Sequence, residues 1–278
     1  MDRFTFGEEG LFSHRRAALA WHLLCVALVT AYASSFAVWS WLGQWVGRET
    51  AAYLPYLALA AVLLSILAAK FRKPVFDWRF FVLGAAVAIV ALLSTDPEFP
   101  AKRIHVAQYL VLALLLYSAL SRDLPRGRYL CLAAAVMGTL YGIHDELLQG
   151  FHPDRTFGVR DIGINILGAV SGALIAGAFV PPGKDPSGAS AAHPDRSGTI
   201  AILTIVAGAG LLVLPLEGYR DQFIPAWTAL PLLAAGLCTA LLAPASFAGS
   251  LSFRVFAFAA FSLLLYPLAS HVPTLRFH

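Results

Sequence analysis

The sequence predicts an all-α integral membrane protein, a polytopic bundle of about nine transmembrane helices with its N-terminus in the cytoplasm. Three observations carry this expectation. Of the 278 residues, 59% are hydrophobic and only 13% charged, against roughly 45–50% and 25% in soluble domains. The apolar runs are long and continuous, without the every-second-residue alternation of barrel strands, so helices do the spanning. Lys and Arg are divided unevenly among the connections between runs, and that bias sets orientation.

The first run, about residues 17–40, follows His14, Arg15 and Arg16. This opening has the shape of a secretory signal ending at Ala31-Tyr32-Ala33. The chain nevertheless stays apolar and aromatic through Val46, as a retained anchor helix does. Trp39, Trp41 and Trp45 suit an aromatic belt at the outer interface. The second run, 51–70, ends in the basic break Lys70-Phe71-Arg72-Lys73-Pro74. The third (79–95) and fourth (104–120) are at the short end of spanning length. Ser121-Arg122-Asp123-Leu124-Pro125 closes the fourth. The fifth (127–148) and sixth (160–180) are joined by a short turn, so they should return antiparallel. Residues 181–198, rich in Pro, Gly, Ser and Ala, read as a flexible cytoplasmic linker. Runs at 199–216, 224–243 and 252–270 complete the set, and no internal repeat of the inverted transporter kind is visible.

The chain therefore divides into two N-terminal helices over 1–78, a four-helix unit over 79–180, the linker 181–198, and three C-terminal helices over 199–278. Thirteen of the 20 Lys and Arg, among them Arg15, Lys70, Lys73, Arg122 and Arg128, fall on the N-terminal side of the membrane. The positive-inside rule puts that side in the cytoplasm. Lys102, His105 and the segment from His144 to Gly172 then open toward the outer face. A net charge of +4 gives no case for nucleic acid. Cys25, Cys131 and Cys238 stand singly in separate runs, as inert buried thiols do.

The 144–172 segment gathers charged and imidazole side chains in a chain otherwise suited to lipid. Each such group costs roughly 2.5–3.5 kcal/mol at a helix centre on insertion scales, so they usually face a polar interior and have a role there. On the fifth helix Glu146 and Gln149 share a face, Asp145 lies beside Gln149, and Gly138 and Gly142 continue the stripe inward. Arg155 follows in the turn. Asp161 sits in the first turn of the sixth helix, where the helix dipole favours a carboxylate, and Asn165 lies one turn on. Gly168 and Gly172 make a small-residue face below them. Lys102, His105 and Tyr109 share one face of the fourth helix. These groups would converge at one membrane boundary, offering anion recognition by Arg155 and carboxylates as proton acceptors.

A metal site from His105, His144, His152 and nearby carboxylates lacks HExxH-type spacing, and no metal and no cofactor are expected. Ser94 and Ser171 lack a GxSxG setting. Outside this constellation, His22 reads as a packed histidine, Glu217 with Arg220 as an interfacial pair, and Arg254 as a snorkelling side chain.

At these residues the chain resembles the VanZ-like family of membrane proteins. Lys102 and His105 match its Lys-x-x-His element, Asp145-Glu146-Leu147-Leu148-Gln149 its acidic–x–x–Gln element, and Arg155 its turn arginine. Asp161, Asn165, Gly168 and Gly172 match its last helix. The motif-bearing part covers roughly 79–180. The resemblance implies a bacterial envelope protein, in a family whose namesake is associated with lowered susceptibility to teicoplanin.

Four functions compete on this reading. The first is an outer-facing site binding an anionic lipid or wall-precursor headgroup through Lys102, His105, Tyr109, Asp145, Gln149, Arg155 and Asn165. Its partners are membrane lipids, a lipid-linked precursor or a glycopeptide. The second is an enzyme acting on a lipid-linked substrate, with Glu146 or Asp161 as acid/base. A proton-coupled transporter using Asp145, Glu146 and His105 is the third, and a structural scaffold the fourth.

Overall fold

The computed structural model describes residues 8–71, 75–124, 127–179, 196–242, 250–272 and 274–278. Among these, every regular element is helical. The predicted linker lies outside the described residues as far as position 195.

All nine apolar runs are helical, but they are not equivalent. The first holds two helices, α1 (Glu8–Ala33) and α2 (Ser35–Val46), bent by 57°. Around this break the Thr30 hydroxyl donates to the Val26 carbonyl at 3.0 Å and Ser34 to Thr30 at 3.4 Å. Such back-bonding competes for intrahelical acceptors and bends helices. Gly47, at φ 85°, then turns the chain into α3 (Arg48–Ala51) and α4 (Leu54–Lys70). The next helix, α5 (Trp78–Ser94), is capped by Asp77, whose carboxylate accepts from the Arg79 amide at 2.9 Å. A 3-10 turn at Pro100–Arg103 leads into α6 (Ile104–Leu120), followed by α7 (Arg128–Gly150), α8 (Val159–Gly177) and α9 (Arg196–Val213). Beyond two further 3-10 turns come α10 (Leu230–Leu242), α11 (Leu251–Ser262) and α12 (Leu265–Ala269).

By length and apolarity, 5 helices among the described residues can cross a membrane, or 6 if the bent α1–α2 pair is one span. They are Arg48–Lys70, Pro100–Leu120, Val159–Gly177, Ser197–Tyr219 and Leu251–Ala269. The count falls below nine for physical reasons. Helices α5 and Ala226–Leu241 are apolar but short. Helix α7 has 23 residues but ends in HDELLQG. It tolerates that polarity because α1, α6, α8, α9 and α11 surround it.

Two apolar clusters hold the bundle. One joins α1, α6, α7, α9 and α11 through Leu116, Met137, Leu140, Ile205, Leu212 and Phe256. The other joins α4, α5, α6 and α8 through Leu59, Phe81, Leu110 and Ile175. The predicted small-residue stripes lie at close crossings. A Cβ on Gly172 would collide with the Leu110 carbonyl oxygen, and one on Gly142 would sit 2.8 Å from the Asn165 Cβ. Helix α8 thus approaches α6 and α7 nearly backbone to backbone, which puts the polar ends of all three side by side.

Candidate functional site

The site is built from the N-terminal ends of α6 and α8 and the C-terminal end of α7. Lys102, in the 3-10 turn before α6, is ion-paired with Asp161 in the first turn of α8. One turn along α6, His105 brings its Nδ1 to 3.6 Å from Asp145 Oδ2, too long for a hydrogen bond. Tyr109, one turn further in, donates its hydroxyl to the same Asp145 oxygen at 3.1 Å. Its ring stacks on His105 with centroids 6.4 Å apart. Helical spacing puts these three residues on one face, and that face meets α8 at Lys102 and α7 at His105 and Tyr109.

From α7 come Asp145 and Glu146, both fully buried, and Gln149, nearly so. The Gln149 side-chain oxygen accepts from the Arg155 guanidinium. Neither Glu146 oxygen, nor Asp145 Oδ1, nor His105 Nδ1 has a hydrogen-bond partner among the described residues. The charged groups bearing most on Glu146 are Asp161, Asp145, Lys102 and Arg155. Asn165, buried one turn below Asp161, donates from Nδ2 to the Gly142 carbonyl at 3.3 Å. All nine residues singled out by sequence lie at or beside the facing ends of α6, α7 and α8, in several separate contacts.

Three neighbours point elsewhere. His144 bonds the Ala259 carbonyl at 2.7 Å and the Tyr266 hydroxyl at 3.0 Å, tying α7 to the C-terminal helices. Exposed His152 accepts at Nδ1 from the Asp154 amide at 3.2 Å. Arg160 reaches Ser94 and Asp96 on the far side of α8. Neither His144 nor His152 is grouped with the buried carboxylates. The donors that do come together are His105, Asp145 and Glu146, whose ligating atoms lie within 4.8 Å of one another. The sequence grouped this trio as a proton relay and not as a set of metal ligands.

Beside the buried group lies a cavity of about 1130 Å³. One wall is apolar, formed by Trp39, Leu42, Leu54 and Leu57 of α2 and α4. The lining also carries Lys102, His105, Gln108, Arg155, Arg220 and His278, with Asp154 and Asp221 beside the two arginines. A volume slightly above the usual ~300–1,000 Å³ of small-molecule sites, with a largely apolar lining and a cluster of charged groups, suits an amphiphile better than a compact solute.

Gln108, Arg220 and His278 were not anticipated as site residues. Gln108 precedes Tyr109 on α6, and its polarity in an apolar run was the one available signal. Arg220 does make the expected pair with Glu217 at 3.0 Å. It also donates to the Phe157 carbonyl, holding the turn that bears Arg155. The segment ending at His278 completes that turn. The His278 amide donates to Gly150 at 2.7 Å, the Phe157 amide to His278 at 2.8 Å, and the Asp221 amide to Phe277 at 2.6 Å. No local motif announces such long-range backbone pairing.

Helices long and apolar enough to cross a membrane mark a membrane protein, and its buried ionisable cluster lies beside the cavity. A family model described as VanZ/LLP1 matches residues 19–180, more than half of the chain, and the protein belongs to that family. The match reaches upstream of the motif-bearing helices and takes in α2 and α4, which form the apolar cavity wall. No curated protein and no solved structure matches the chain.

Proposed function

We propose that the protein binds the anionic, phosphate-bearing headgroup of a lipid or lipid-linked wall precursor at the outer face of a bacterial plasma membrane. The cavity carries this reading: its lining offers Lys102, Arg155 and Arg220, three cations against Asp154 and Asp221, to an anion, while Trp39, Leu42 and Leu57 offer an apolar surface to the attached chain. Arg155 supplies bidentate recognition and Lys102 a point charge. The excess of Lys and Arg on the N-terminal side supports the outward orientation. Family membership supports an effect on teicoplanin susceptibility, exerted where glycopeptides meet lipid-linked wall precursors.

Glu146 favours a second reading, acid/base chemistry on the bound lipid. Its carboxyl group is buried without a hydrogen bond, whereas Asp161 is engaged by Lys102. Transport draws less support, because inward of Tyr109 and Asn165 the α6–α7 contact turns apolar at Leu116, Met137 and Leu140.

The test combines lipid capture with a phenotype. Native mass spectrometry of the purified protein should find co-purified anionic lipid, lost on Arg155→Ala and on Arg220→Ala. Cells expressing wild type should tolerate more teicoplanin than cells expressing Arg155→Ala at equal membrane abundance. Equal lipid retention by all three proteins would sink the headgroup assignment. Different lipid products in wild-type and Glu146→Gln cells would favour the enzyme.

A further inference from the structure

Three observations bear on His105, Asp145 and Glu146, and the first and third distinguish them from Gln149 and Asn165, whose Nε2 and Oδ1 are also unpartnered. Their donor atoms lie within 4.8 Å of one another, and the residues are 4%, 0% and 0% exposed. Both Glu146 oxygens, Asp145 Oδ1 and His105 Nδ1 lack hydrogen-bond partners among the described residues. Carboxylate oxygens buried without a partner are costly, and the usual remedies are pairing with a cation or coordination of a metal. The separation of His105 Nδ1 from Asp145 Oδ2, 3.6 Å, is too long for a hydrogen bond. It is close to the roughly 3.0–3.5 Å between two donors that share one ion at about 2.1 Å.

The surroundings have the character of a second coordination shell. Tyr109 donates to Asp145 Oδ2 and stacks on the His105 ring, fixing both ligands from one side chain. Lys102 is taken up by Asp161.

We infer that His105, Asp145 and Glu146 form a binding site for one divalent first-row transition-metal ion. One imidazole with two carboxylates suits an ion of the Mn²⁺, Fe²⁺ or Zn²⁺ class, with water filling the remaining positions. His105 lies on the cavity wall and gives the ion its route in. In their ordinary charge states the carboxylates of Asp145, Glu146 and Asp161 outnumber the cations Lys102 and Arg155. A divalent ion reverses that balance and leaves a positive face toward the cavity. The metal site does not depend on the headgroup reading, because it can be measured with no lipid added.

The experiment uses the full-length protein in detergent, stripped with a chelator and titrated with Mn²⁺ and, separately, Zn²⁺. Wild type should bind a single ion per chain. His105→Gln and Glu146→Gln should each weaken binding by more than about tenfold, while His152→Gln, at an exposed histidine, should not. Pulsed electron paramagnetic resonance of the Mn²⁺-loaded wild type should show a directly bound imidazole nitrogen, a readout that needs no variant to fold. Absence of stoichiometric binding of either ion, absence of that nitrogen coupling, or undiminished affinity in monodisperse Glu146→Gln would each overturn the assignment.

Discussion

Breaking the Lys102–Asp161 pair from its two ends should give unequal penalties. The Asp161 side chain is 6% exposed and that of Lys102 28%. Lys102→Met strands the carboxylate where water scarcely reaches, and orphaning a buried charge costs about 3–5 kcal/mol. The N-terminus of α8 returns part of this, at most about 2 kcal/mol. A net loss of about 2–4 kcal/mol is therefore expected. Asp161→Asn leaves instead an ammonium that can turn into the cavity, and should cost about 1–2 kcal/mol, the scale of a lost charged hydrogen bond. Lys102→Met combined with Asp161→Asn removes both charges, closes the cycle and should cost clearly less than the two single changes summed. Denaturant unfolding in mixed micelles, run as a double-mutant cycle on the helical signal, measures all four. Penalties that simply add would refute a direct buried contact. Equal single penalties would refute the argument from exposure.

The remaining predictions concern packing. Gly172→Ala should lower stability by about 1–3 kcal/mol, because its methyl group meets the Leu110 carbonyl, while Gly163→Ala, with open space around its Cβ, should gain about 0.5–1 kcal/mol; micelle unfolding midpoints read both. Removing Leu275–His278 deletes the backbone bonds to Gly150, Phe157 and Asp221, each contributing about 0.5–1.5 kcal/mol. Trypsin should then cut at Arg155, and protection equal to the full chain would argue that the turn holds itself. His144→Phe should loosen α11 and α12 from α7, seen as faster amide exchange in those helices, without changing metal stoichiometry.

Helical spacing made much of this site legible. Residues three or four apart on one helix must share a face, which grouped Lys102 with His105 and Tyr109, and Asp161 with Asn165. The glycine stripes indicated which faces cross closely, and the short turn between α7 and α8 fixed their antiparallel return. Other features lie beyond local pattern. Asp145 and Glu146 are adjacent in sequence, so periodicity alone sends their side chains in different directions. Only the approach of α6 brings His105 to both. The break between α1 and α2 depends on hydroxyl–carbonyl bonds at Thr30 and Ser34, residues that also occur in straight helices. Arg220 and His278 reach the site through backbone pairing between distant segments, for which no residue type is diagnostic.

The contact of Phe277 with Gly150 bears on how such chains diverge. A Cβ at position 150 would lie 2.5 Å from the Phe277 ring. A relative ending after α8 would leave that position open to any small side chain. A relative carrying α9–α12 should inherit glycine at 150 together with an aromatic ring at 277, so the two positions should co-vary. Recombination that joins the C-terminal helices of one lineage to the site helices of another would then succeed only where that pair is matched. The segment that looks most replaceable is thus tied by packing to the turn that presents Arg155.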